Sequence, residues 1–176
     1  EGYDVFAFDY RGYGKSEGSP SRQGLHEDSI AALEYIRSRP GIDSERIVVF
    51  AQSLGGACAT AALGESGIEV RGLALDSTFA HYIGMGNAVL GGTFLTYPLA
   101  WLLLSNGHSP ADVIASIAPT PILFFHSSQD PVVPIAQGRA LHDAALQPKA
   151  FVEVSARAHP VATNRVTERE RLLQFF

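Results

Sequence analysis

A chain of 176 residues, 46% hydrophobic and 18% charged, is long enough for one globular domain with a sizeable core and too apolar to be disordered. Its net charge of −5, with Lys and Arg scattered rather than massed in a stripe, argues against a nucleic-acid partner. The single cysteine, Cys58, excludes an internal disulfide framework and a Cys-rich zinc site, and its place among alanines suits a small core filler.

In chain order, residues 3–9 (Tyr-Asp-Val-Phe-Ala-Phe-Asp) read as a strand, ended by a Gly-rich loop that runs to Pro20. A helix is expected over 22–37, where Leu25, Ser29, Ala32, Leu33 and Ile36 share one face, and Pro40-Gly41 stops it. A β-branched run at 46–51 is the next strand, followed by a helix rich in small residues. Residues 70–76 and 122–126 are further apolar runs of strand length, 135–146 a helix, 151–154 a strand and 163–175 a last helix. This alternation is that of a mostly parallel sheet with helices on both faces. Catalytic groups on such sheets gather at the carboxyl ends of the strands, which selects Asp9, Ser53, Asp76, His126 with Asp130, and His159.

The most informative segment is Ala51-Gln52-Ser53-Leu54-Gly55-Gly56 at the junction of strand and helix. It has the form of a nucleophile elbow, a tight turn that strains its central residue and projects the hydroxyl from the sheet edge. Small residues two before and two after Ser53, here Ala51 and Gly55, are expected to avoid collisions across the turn. The plain alternative is a Ser that caps a helix. An attacking Ser needs a base, and the base needs an acid to fix its tautomer. His159 follows the last strand and Asp130 the strand before it, giving the chain order Ser, Asp, His of elbow-containing folds.

Four segments together resemble the α/β-hydrolase superfamily, and within it serine hydrolases of the Bem46 and alpha/beta-hydrolase-domain 13 and 17 type. They are the run Phe8-Asp9-Tyr10-Arg11-Gly12-Tyr13-Gly14-Lys15-Ser16-Glu17-Gly18, then Gln52-Ser53-Leu54-Gly55-Gly56, then 121–126 running to Asp130, and His159. The resemblance implies an α/β-hydrolase fold with Ser53 as nucleophile, His159 as general base and acid, and Asp130 orienting His159. Leu54 would supply one oxyanion-hole amide. Asp76 is a second candidate for the acid, because some relatives place theirs after the strand that follows the elbow helix; it can equally cap the segment from Ser77. Ser127, Ala158 and Pro160 depart from the family pattern, and Pro160 cannot donate a backbone hydrogen bond. The resemblance also implies strands before residue 3, a further strand between segment 3–9 and the elbow strand, and a His-Gly loop bearing the second oxyanion donor. The chain therefore reads as part of a longer product, with its N-terminal strands missing and its compartment left open to an anchor elsewhere.

Other features point less sharply. Gly14-Lys15-Ser16 lacks the earlier Gly of a phosphate-binding loop, since Asp9 stands there. Arg11 and Asp9 are expected to pair and hold their loop. His26 and His142 fall inside helices as surface or packing residues, His126 is expected to brace the Asp130 loop, and His81 and His108 flank an insertion. No His spacing defines a metal set, and neither metal nor cofactor is expected. The insertion, about residues 80–112, is read as a cap over the site within one domain covering 1–176. Its apolar stretch 88–104 is too short and interrupted for a membrane span, and Phe94, Tyr97 and Trp101 would favour apolar acyl groups or contact with a membrane surface. An ordinary buried helix is the alternative. The functional expectation is a serine hydrolase acting on carboxylic esters or thioesters. The rival readings are a non-catalytic α/β-hydrolase-like binding domain and a peptidase using the same triad. Oligomeric state is left open.

Overall fold

A computed structural model of the chain describes residues 2–91, 93, 98 and 107–176. Its centre is one parallel sheet whose strands lie in sequence order: β1 (Val48–Gln52), β2 (Gly72–Asp76), β3 (Ile122–Ser127) and β4 (Lys149–Val154). Gln52 lies beside Asp76, Asp76 beside Phe125, and Ser127 beside Val154, so the strands end close together along one edge. Parallel neighbours cannot be joined by a tight turn, and helices carry the chain back across the sheet. Among the described residues the helices include α1 (Arg22–Ser38) before β1, α2 (Ser53–Ser66) between β1 and β2, and α3 (Tyr82–Val89) and α4 (Pro110–Val113) between β2 and β3. They continue with α5 (Ile135–Ala144) between β3 and β4 and α6 (Val166–Phe175) after β4.

Strands β2 and β3 are buried at every residue, which is why they read as unbroken apolar runs. Alternate side chains go to opposite faces. Leu73, Leu75, Ile122 and Phe124 pack with Leu33 of α1, Leu63 of α2 and Leu141 of α5. On the other face, Ala74, Leu123 and Phe125 meet Val161, Ala162 and Leu172 of α6. Helix starts and stops follow local chemistry. Ser21 accepts the Gly24 N–H at 3.0 Å to cap α1, and α2 closes at Gly67 in the left-handed region at φ 68°.

Two expectations are corrected. Residues 3–9 carry no strand. Val5 is 89% exposed, and a groove of about 960 Å³, lined by Phe6, Phe8, Val49 and Ala51 among others, lies between this segment and β1. An apolar run alone cannot make a strand where no neighbouring backbone supplies a ladder. The groove stands where the resemblance places a further strand. Arg11 does not pair with Asp9: its guanidinium and backbone N–H both hold Asp28 of α1, at 2.7 to 3.0 Å, and it also reaches Glu27 at 3.0 Å. Asp9 instead accepts the Lys15 N–H at 3.0 Å within its own loop. A fork of donors meets a carboxylate best head-on, and α1 presents two of them.

Candidate active site

Ser53 follows the last residue of β1 and opens α2 with φ 51°. A non-glycine residue in the left-handed region is strained, and such strain persists only where the surroundings hold it. Here Thr78, just past β2, donates its hydroxyl to the Ser53 carbonyl at 2.8 Å. The crowding that limits side-chain size falls one residue later than expected. A Cβ on Gly55 would meet nothing within 4 Å, whereas one on Gly56 would lie 2.7 Å from both Cβ and Oγ1 of Thr78. The tight contact is with the neighbouring strand's exit loop and not across the turn itself. Leu54, the second residue of α2, has a backbone N–H among those that a helix leaves unsatisfied in its first turn.

His159 and Asp130 come together from the loops after β4 and β3. His159 Nδ1 lies 2.8 Å from Asp130 Oδ2, with the carboxylate fully buried and the imidazole 14% exposed. The other carboxylate oxygen accepts the Val132 and Val133 N–H groups at 2.8 and 2.9 Å. Asp130 thus makes its own loop the brace for its orientation. His126, at the end of β3, points Nε2 at the Val133 carbonyl at 2.9 Å and stands 3.8 Å from Asp130 Oδ2. It braces the loop as expected, and burial pushes its pKa below the ordinary imidazole value. Ser127, a departure from the family pattern, donates its hydroxyl to the Ala156 carbonyl and ties the two loops together.

Asp76, the alternative acid, does different work. It is wholly buried and accepts the Val161 N–H on both oxygens at 3.1 Å, the Ala162 N–H at 2.8 Å, the Ser77 hydroxyl at 3.0 Å and the Gln52 side-chain amide at 3.2 Å. Its carboxylate anchors the chain just beyond His159-Pro160. The expected cap at Ser77 is thereby replaced by a clamp on the His loop, and no hydrogen bond between Asp76 and His159 occurs in the structure. Sequence reasoning missed both Thr78 and this use of Asp76, because the partners lie 25 and 85 residues away.

Of the remaining side chains, Cys58 is buried, and burial raises its thiol pKa, which leaves it a poor nucleophile. His142 packs edge-on against Phe124 and Phe151. The candidate substrate residues Phe94, Tyr97 and Trp101 lie outside the described residues. Among the described residues no helix is long and apolar enough to cross a membrane.

Comparison with known proteins agrees with this architecture. A family profile described as alpha/beta hydrolase fold matches residues 1–102. The uncharacterized protein YfhR of Escherichia coli is 37% identical over 158 residues, which cover 89% of this chain and 53% of that protein. Protein bem46 of Schizosaccharomyces pombe is 38% identical over 136 residues, covering 76% of this chain and 44% of its own length. The chain thus spans about half the length of these relatives. Among solved structures, an esterase from Pyrococcus furiosus aligns over 99% of this chain and 70% of its own, with a TM-score of 0.75 at 20% identity. A parallel sheet with a strained Ser at its carboxyl edge, and a family profile over more than half of the sequence, place the chain in the alpha/beta hydrolase fold family.

Proposed function

We propose that this hydrolase acts on carboxylic esters or thioesters through an acyl-serine intermediate, with Ser53 as nucleophile, His159 as general base and acid, and Asp130 as the residue that orients His159. The observation that carries the reading is the left-handed backbone of Ser53 at the edge where Asp130 and His159 meet. With Nδ1 engaged by Asp130, the proton on that nitrogen is fixed and Nε2 is left free to accept the Ser53 proton. Attack of Oγ on the acyl carbon forms a tetrahedral oxyanion, to which Leu54 N–H would donate. Collapse expels the alcohol or thiol, protonated by His159, and leaves the acyl group on Ser53. Water then attacks the acyl carbon, giving its proton to His159, and the acid departs as Ser53 is restored.

The role of Asp130 rests on its direct contact with His159; Asp76 is assigned to holding the His loop. The insertion between β2 and β3 is proposed to cap the site and to select apolar acyl groups through Phe94, Tyr97 and Trp101. Covalent labelling by a fluorophosphonate probe is the decisive experiment, since it requires an activated Ser and not merely the fold. Labelling that disappears in Ser53→Ala supports the hydrolase. A folded protein that resists the probe and turns over no p-nitrophenyl ester would be a binding domain instead.

A further inference from the structure

Away from the catalytic edge, three side chains converge from three elements. His26 lies on α1, Glu65 on the last turn of α2, and His108 just before α4. Glu65 is twelve residues beyond Ser53 on one helix, about 18 Å along its axis. His26 Nε2 stands 3.1 Å from Glu65 Oε2, and His108 Nδ1 stands 2.9 and 3.0 Å from the two carboxylate oxygens. One ligand-capable atom from each residue falls within 4.8 Å of the others.

Hydrogen bonding by neutral side chains does not complete this cluster. His108 Nε2 lies 2.8 Å from Gln23 Oε1, while the Gln23 amide nitrogen donates to Glu27 and so turns the oxygen toward the ring. Both ring nitrogens of His108 therefore face acceptors. A neutral imidazole carries one proton and can satisfy only one of them. Either a second proton on the ring or a metal cation between His108 and the carboxylate would complete the set. The His26 ring stacks on that of His108 with centroids 4.1 Å apart, which opposes charge on both rings at once, and its own Nδ1 is buried without a partner. His108 is also held in left-handed backbone at φ 59°, a strain kept only where other contacts fix it.

We propose that His26, Glu65 and His108 bind a divalent transition-metal ion of the zinc class. Two imidazole nitrogens and one carboxylate oxygen are ligands suited to zinc, whereas calcium and magnesium prefer all-oxygen sets. Ligand atoms about 2.1 Å from a tetrahedral ion are about 3.4 Å apart. The nitrogen-to-oxygen separations of 2.9 to 3.1 Å are within about half an ångström of that spacing. The two rings are nearly parallel, 17° apart, so one must turn out of the stack for both lone pairs to meet one ion, and the His108 and Glu65 side chains, 26% and 31% exposed, have room to adjust. Gln23 then acts as the outer partner that fixes the His108 tautomer, with the proton on Nε2 and Nδ1 free for the ion. Such an ion would tie α1 and α2 to the chain entering α4, at the foot of the insertion.

The test uses the whole chain, stripped with EDTA and titrated with zinc sulfate alone. One equivalent should bind, shifting the ring NMR signals of His26 and His108 and raising the melting temperature. Glu65→Gln and His108→Gln should each weaken zinc by about tenfold or more, since losing a ligand costs no less than losing an outer-shell partner. Circular dichroism in EDTA shows whether each variant is folded, and if one is not, the wild-type ring signals decide. Absence of binding, binding that leaves both rings unshifted, or equal affinity in folded variants would overturn the proposal.

Discussion

At the scale of single residues, the two carboxylates at the carboxyl edge of the sheet are separated by what they accept. In Asp130→Asn, the amide oxygen can keep the Val132 and Val133 N–H groups, which puts the NH₂ against His159 Nδ1. That forces the proton onto Nε2, where it cannot take one from Ser53. We expect esterase kcat to fall about 10,000-fold with little change in melting temperature. Asp76→Asn should behave in the opposite sense. Its carboxylate faces only donors, so an NH₂ there meets the Val161 and Ala162 amides or the Gln52 side chain, at about 1 to 3 kcal/mol for each group left unsatisfied. A clear drop in thermal stability is the expected reading, and the reverse ranking in kinetics and melts would assign the acid to Asp76. Ser53 offers a third check. Ser53→Gly should melt higher than Ser53→Ala, by up to about 1 kcal/mol, because glycine relieves the left-handed strain at φ 51°. Equal melts would mean that the backbone is not strained there.

At the scale of elements, the fit of α2 against the loop after β2 is set by one glycine and not its neighbour. Gly56→Ala places a methyl 2.7 Å from Thr78, the residue that holds the Ser53 carbonyl, and should destabilise by about 1 to 3 kcal/mol while lowering activity. Gly55→Ala meets open space within a helix and should be neutral or stabilising by about 0.5 to 1 kcal/mol. Differential scanning calorimetry of the two variants tests both signs. The same logic operates where α5 crosses β3. A Cβ at Gly138 would lie 2.3 Å from His126 Nδ1, and the buried ring has no free direction in which to retreat because Nε2 holds the Val133 carbonyl. Close approach of helix to sheet at this point keeps the Asp130 loop in register with His159.

For the whole molecule, buried imidazoles link stability to pH. Burial depresses the pKa of His126 and of His26, so in the folded state both resist a proton that the unfolded chain accepts near pH 6.5. The sign follows: below that value the unfolded state binds more protons, so this contribution is fully present above about pH 6.5 and is lost as pH falls through it. Melting temperatures measured in EDTA should therefore decline from about pH 7.5 to about pH 5.5. His126→Gln should flatten the decline, and a wild-type melt that is level or rises on acidification would contradict the assignment. Near His126 the charged groups are Asp130, Asp76 and His159, and near His26 they are Glu65, Glu27 and His108; the carboxylates oppose the depression without reversing it.

By itself the sequence determined what depends on near neighbours. The apolar runs at 122–126 and 70–76 are strands because every residue of β2 and β3 is buried on a covered sheet, and an unbroken apolar run of strand length reports that burial directly. The start of the first helix near Arg22 is equally local, since Ser21 accepts the Gly24 N–H three residues on. The abrupt change from β-branched to small residues announced the elbow and the place of Ser53. Only the tertiary structure decided matters that turn on distant partners. Residues 3–9 hold an apolar run of strand length, yet a strand needs a neighbour, and a groove lies beside them. Arg11 chose Asp28 over Asp9 because α1 brings that carboxylate to it. Asp76 and Asp130 look alike in sequence and differ only in which amides and which ring face them, and Thr78 gained its hold on Ser53 through the pairing of β1 with β2. His26, Glu65 and His108 have no ligand spacing along the chain, and their approach is made by the packing of α1, α2 and the segment before α4. Hydrogen bonds and ion pairs act over a few ångströms of space, and sequence separation fixes that distance only within a single element.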